Sequence, residues 1–121
     1  MLITRAQMLA MEDAVLNGFV QRVADFVDTR CDFSRPHDGS VVPAERVERA
    51  ALVKSLIVRA QGYGIETELG LSLFVIVALG YSREFDGLPA ARAMLLDPEF
   101  PPDKNMQRVA NAVVVAERRS R

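Results

Sequence analysis

Apolar residues recur at steps of three and four along the start of the chain: Met8, Met11, Val15, Phe19, Val23 and Phe26. Leu9, Leu16, Val20 and Val27 widen the stripe, and Asp13, Asn17, Gln21, Asp25 and Asp28 fall on the opposite side. That spacing is one face of an amphipathic helix. Thr4-Arg5-Ala6-Gln7 reads as a capping box, with Thr4 at the N-cap and Gln7 three residues on. A first helix is therefore predicted over 5–30. Gly18 lies inside it at a cost of about 1 kcal/mol relative to alanine, and marks a place for a close helix approach.

The period is lost over 31–42, where Pro36, Asp38, Gly39 and Ser40 are turn formers. Pro43 suits the first position of a second helix, predicted over 43–63. Its buried stripe is Ala50, Val53, Leu56, Ile57 and Ala60, with Glu48, Ser55 and Arg59 on the wet side. Glu45 and Arg49 form an i,i+4 pair of the favourable order. Gly64 is placed to stop this helix in the left-handed conformation, with Ile65 folding back on the last turn.

Thr67 is the expected N-cap of a third helix over 67–79, with Glu68 at its positive end. Leu69 to Leu79 is apolar nearly all round, as a central buried helix would be. Phe74-Val75-Ile76-Val77 keeps a strand over 71–79 as the alternative, but helix-type cap signals flank the run. Gly80-Tyr81 repeats the stop pattern of Gly64-Ile65. After an Asp86-Gly87 turn, a short helix is expected over 88–96, entered through Pro89 and ended by Asp97-Pro98. Phe100-Pro101-Pro102 reads as extended. Asp103 is the expected cap of a last helix over 103–119, with Met106, Val109, Ala110 and Val113 on one face. The pattern as a whole predicts one all-α domain over 1–121, a bundle of about five helices around a central hydrophobic one.

Composition changes this picture little. A chain of 121 residues, 50% hydrophobic and 26% charged, is sized for one core. The net charge of −1 argues against a general polyanion binder, although the end, Glu117-Arg118-Arg119-Ser120-Arg121, is basic. Cys31 is the single cysteine, so no internal disulfide can form, which fits a reducing compartment. The start lacks a signal-peptide pattern. The longest apolar run, Leu73 to Leu79, is far short of the roughly 20 residues that span a bilayer. A cytoplasmic protein is expected.

Candidate chemistry is sparse. Cys31, Asp32, His37 and Asp38 are metal-capable, but one Cys and one His fall short of a four-ligand zinc set. A Cys31–His37 nucleophile pair has nothing to orient the imidazole or hold an oxyanion. Glu66 and Glu68 diverge at a helix start and suit its dipole instead. No catalytic, metal or cofactor residue is therefore assigned. Arg59, Tyr63, Glu68 and Asp86 form the more interesting set, because a charge pair between segments there would set the angle between the second and third helices.

The string Arg59-Ala60, Tyr63-Gly64-Ile65, Glu68, then Leu73-Phe74, Leu79-Gly80 and Phe85-Asp86 resembles a family of small helical proteins of bacterial type VI secretion gene clusters. Gln7, Met8, Phe19 and Arg22 on the first helix, and Leu96-Asp97 ending a short one, fit as well. The chain differs in having Gly87-Leu88-Pro89 and no tryptophan after the third helix. The resemblance implies a non-enzymatic partner-binding protein found beside VgrG spike, PAAR tip and toxic effector genes. It would act either as an accessory or chaperone for effector loading, or as an immunity protein that blocks a toxin. Arg59, Tyr63, Glu68, Tyr81 and Asp86 are then the expected partner-binding residues, and a homodimer is left open. The alternative is a small helical nucleic-acid binder or regulator using Arg108, Arg118, Arg119 and Arg121.

Overall fold

The computed structural model describes residues 16–26, 43 and 45–119. Every regular element among them is helical, and none is a strand. Helix α1 covers 16–26 within the described residues. It is followed by α2 (Arg46–Gly62), α3 (Glu68–Gly80), a 3-10 turn (Phe85–Gly87), α4 (Pro89–Leu95) and α5 (Pro102–Arg119). The rest of the expected 5–30 helix, its Thr4 cap and the whole 31–42 loop with Cys31 and His37 lie outside the described residues, as does Arg121. No described helix is long and apolar enough to cross a membrane.

The core is drawn from every helix. Phe19, Val20 and Val23 of α1 meet Val53, Leu56, Ile57 and Ala60 of α2, and Leu71, Phe74, Val75, Ala78 and Leu79 of α3. Phe85, Leu95, Met106 and Val109 close it. Helix α3 packs against both α2 and α5, as a central helix must, and α5 also carries α4. The helical reading of 71–79 therefore stands over the strand. Phe26 departs from the α1 stripe and is 46% exposed.

The α2–α3 junction follows its local code closely. Gly64 has φ +87. Its N–H donates to Gln61 C=O at 2.9 Å and the Ile65 N–H donates to Ala60 C=O at 3.4 Å, the paired bonds of a Schellman motif. Ile65 then folds into the core. Thr67 caps α3, its hydroxyl accepting from the Gly70 N–H at 3.0 Å.

Five local expectations need correction. Helix α2 begins at Arg46 rather than Pro43, because Glu45 is extended and the first helical bond runs from Arg49 N–H to Glu45 C=O. The Pro43 carbonyl instead accepts from the Arg49 side chain. Arg59 is half-buried, not on the wet side. Gly18 is exposed and meets no close neighbouring helix. Gly80 is not left-handed: α3 ends where Val77 C=O accepts from both Tyr81 and Ser82 N–H groups. Pro102 is the first residue of α5, with Asn105 N–H bonded to Pro101 C=O at 3.0 Å, so Asp103 sits inside the first turn instead of capping it.

The α4–α5 connection is held by one buried amide. Asn105, 1% exposed, donates from Nδ2 to Asp97 C=O at 2.9 Å, Leu95 C=O at 3.3 Å and Phe100 C=O at 3.4 Å. These include carbonyls that the end of α4 leaves without helical partners. Arg108 bonds Asp97 Oδ2 at 3.1 Å and Asn105 Oδ1 at 3.2 Å, and stacks over the Phe100 ring at 4.3 Å. The Asp97 carboxyl is held below the usual range chiefly by the Glu99 N–H; burial opposes this, and the hydrogen bond and charge of Arg108 add to the lowering.

Candidate functional site

Three of the five expected partner-binding residues come together where α2 ends. Arg59 and Tyr63 lie one turn apart on the same side of α2, facing the 3-10 turn that follows α3. Asp86 in that turn is 8% exposed and receives both. Arg59 Nη2 lies 3.2 Å from Asp86 Oδ1, and Tyr63 Oη donates to Asp86 Oδ2 at 3.0 Å. Arg59 Nη2 also donates to the Arg83 carbonyl. Its guanidinium lies over the Phe74 ring, 5.5 Å from the centroid, and Phe74 packs against Phe85 at 4.8 Å. The charge pair expected between segments is thus real, but it joins Arg59 to Asp86 and not to Glu68.

A carboxylate removed from water needs partners for its charge. Asp86 has two, both from the end of α2, so the cluster staples α2 to the α3–α4 connection. The arrangement also acts on the phenol. Burial raises the Tyr63 pKa above its ordinary value, helped by the Asp86 hydrogen bond and charge, while the positive charges of Arg92 and Arg59 oppose the rise. Arg59 Nε is buried and without a hydrogen-bond partner among the described residues.

Glu68 stands elsewhere. It pairs with Arg22 of α1 at 2.6 Å across an exposed rim, and Asp25 pairs with Arg46 of α2. Beneath the Arg22–Glu68 pair runs an open groove of about 280 Å³ between α1 and α3. Its floor and walls are Phe19, Val23, Phe26, Ser72 and Ile76. Tyr81 closes α3 and packs half-buried on the core. The five expected residues therefore divide between an inward-facing staple, a groove rim and a helix end.

A third constellation had no signal in the sequence. Asp103, in the first turn of α5, reaches the N-terminus of α3. Its Oδ1 accepts from Thr67 N–H at 2.9 Å and from the Thr67 hydroxyl, and its Oδ2 from Glu66 N–H at 3.3 Å. Burial alone would raise the Asp103 pKa, but these hydrogen bonds and its own N–H outweigh that and hold the carboxyl below its ordinary value. Gly70 makes room for the approach: a Cβ there would lie 2.5 Å from Asp103 Oδ1 and 2.7 Å from Ile65 Cγ2. Partners so far apart in sequence leave no short-range pattern to find.

No family model, curated protein or solved structure matches this chain. Among the described residues no group of His, Cys, Asp and Glu is arranged to hold a metal ion. Of the arginines offered for nucleic-acid contact, Arg108 is engaged by Asp97, Asn105 and Phe100, while Arg118 and Arg119 are exposed at the end of α5.

Proposed function

We propose that this protein is a cytoplasmic, non-enzymatic protein-binding module of a bacterial type VI secretion cluster. It engages a toxic effector or a VgrG/PAAR spike component, as an accessory or chaperone or as an immunity protein. The family resemblance of the Arg59–Asp86 stretch supplies the system. The observation that carries the binding role is the α1–α3 groove. It is apolar at its base, open to solvent, and rimmed by an exposed ion pair, with Phe26 offering a large apolar surface at its edge. Such a concavity suits one or two apolar anchor residues of another protein within a polar surround. The side chains best suited to chemistry point the same way: Arg59, Tyr63 and Asp86 are engaged with one another, and Asp103 with the start of α3.

The test is co-purification of the tagged protein with the products of its neighbouring genes, resolved by size exclusion. Stable co-elution with an effector or spike component is expected, and should be lost on Phe26→Asp with the helical content intact. Toxin activity in the complex separates the two roles, since immunity silences it and loading preserves it. A clean monomer that binds none of those products sinks the proposal.

A further inference from the structure

We propose that the α1–α3 groove is self-complementary and that, until a partner arrives, it is filled by the same groove of a second copy of this chain. The pairing of two copies stands by itself; its competition with a partner rests on the reading of the chain as a protein-binding module. One face carries both halves of the contact. Phe26, 46% exposed at the groove edge, supplies a protruding aromatic anchor. Phe19, Val23 and Ile76 line the recess of about 280 Å³ that receives one. A two-fold contact needs a patch that matches itself in this way.

The charges are divided to the same effect. Arg22 stands on the α1 wall, its guanidinium 5.7 Å from the Phe19 ring centroid, and Glu68 stands on the α3 wall. A two-fold axis along the groove sets α1 of each copy against α3 of the other. Arg22 then faces Glu68 twice, and Phe26 twice faces the wall that holds Ile76. An axis across the groove would set Arg22 against Arg22 and Glu68 against Glu68, an arrangement that like-charge repulsion disfavours. The ion pair within each copy does not exhaust these charges. It joins only Nη2 to Oε1, with the two side chains 60% and 71% exposed, and a guanidinium has further N–H donors. The second copy therefore adds its charges to a weak exposed pair and makes a four-charge network, with no bond exchanged for another.

The experiment is analytical ultracentrifugation of the full chain from about 1 µM to 1 mM, which brackets the affinity of a small interface. A monomer–dimer equilibrium is expected, and a monomer throughout would overturn the proposal. Phe26→Ala should weaken the dimer by at least about thirtyfold, the weight of a central aromatic anchor. Arg22→Glu makes both walls acidic and Glu68→Arg makes both basic, so each variant alone should dimerise at least about tenfold more weakly. Mixed in equal amounts, the two should recover a heterodimer, which an effect confined to one chain does not produce. Both positions are exposed, and circular dichroism checks that helical content is kept. Wild-type affinity in any of the three variants, or a mixture no tighter than its parts, would overturn the groove as the dimer face. Co-purification separates this idea from the module reading. A recovered neighbour should hold a single copy of this chain, and a complex that keeps the dimer overturns the competition. A monomer that still recovers a neighbour overturns the dimer alone. A dimer that recovers no neighbour overturns the module reading alone.

Discussion

Asp103 caps a helix that is not its own: from the first turn of α5 its carboxylate holds Thr67, the residue that caps α3. The α3 N-terminus therefore has two capping side chains in series, one local and one supplied by tertiary structure. Cap substitutions of this kind cost about 1–2 kcal/mol, so Asp103→Ala should lower stability by that amount in urea unfolding. The pH dependence has a definite sign. The folded-state pKa lies below the ordinary value, so the contribution is present above about pH 4 and is lost as pH falls through the lower folded value. Stability of wild type and Asp103→Asn should therefore differ at pH 7 and converge in acid. A gap that stays constant between pH 7 and pH 2 would mean that the carboxylate charge plays no part.

Three glycines should respond differently to the same added methyl. At Gly64, φ +87 places the new Cβ in a disfavoured backbone region and 3.1 Å from Pro102 Cγ. Gly64→Ala should cost at least about 1 kcal/mol. Gly70 is helical, where alanine ordinarily gains about 1 kcal/mol. Its Cβ would collide with Ile65 and Asp103, so the sign should reverse, to a loss of about 1–3 kcal/mol from overpacking. Nothing lies within 4 Å of a Cβ at Gly62, the last residue of α2. Gly62→Ala should be neutral or stabilising. Thermal melts of the three variants check the ordering, and a destabilised Gly62→Ala with a neutral Gly70→Ala would contradict it.

The contrast between Gly64 and Gly70 shows which parts of this fold are legible in sequence. Gly64 acts through its own φ and through bonds reaching three to five residues back, so the pattern Tyr63-Gly64-Ile65 predicts the stop. Thr67 acts on Gly70, three residues on, and is equally readable. Apolar spacing likewise places α2, α3, α4 and α5 to within a few residues of their observed ends. Gly70 matters because a residue 33 positions away comes close, by the numbering of Asp103, and nothing in its neighbours foretells that. The same holds for the candidate site. Arg59, Tyr63 and Asp86 are recognisable as a set, but which carboxylate Arg59 would choose depended on how α3 turns back. Glu68 went to Arg22 because α1 lies along α3, a packing choice that periodicity does not encode.

The Arg59–Asp86–Tyr63 staple should behave as a unit. Removing Arg59 leaves a nearly buried carboxylate with only the Tyr63 hydroxyl, at a cost of about 1–3 kcal/mol. A double-mutant cycle with Arg59→Ala and Asp86→Ala should show clear coupling, since the double variant leaves no charge stranded. The phenol offers a second readout. Only Tyr63 and Tyr81 absorb as tyrosines, so an ultraviolet pH titration in a Tyr81→Phe background reports Tyr63 alone. It should titrate above 10 and fall on Asp86→Asn, while Arg92→Ala should raise it further. A phenol that ignores Asp86→Asn would dissolve the hydrogen bond.

Asn105 offers the sharpest test of the α4–α5 connection. Its Nδ2 faces the carbonyls of Leu95, Asp97 and Phe100 within 3.4 Å, and the side chain is almost wholly buried. Asn105→Ala removes the donor and strands those acceptors, at about 1–3 kcal/mol. Asn105→Asp should be worse at neutral pH, although the two side chains are nearly the same size. It replaces the donor with an anionic acceptor facing three carbonyl oxygens, and Arg108, 3.2 Å from Oδ1, compensates on one side only. The new carboxyl would favour its protonated form, which raises its folded-state pKa. The penalty is then complete above that raised value and is relieved as pH falls through it, when a donor is restored. Chemical denaturation of both variants between pH 4 and pH 8 decides the matter. The carboxyl variant should recover in acid relative to alanine, and parallel profiles would show that Asn105 is held by packing alone.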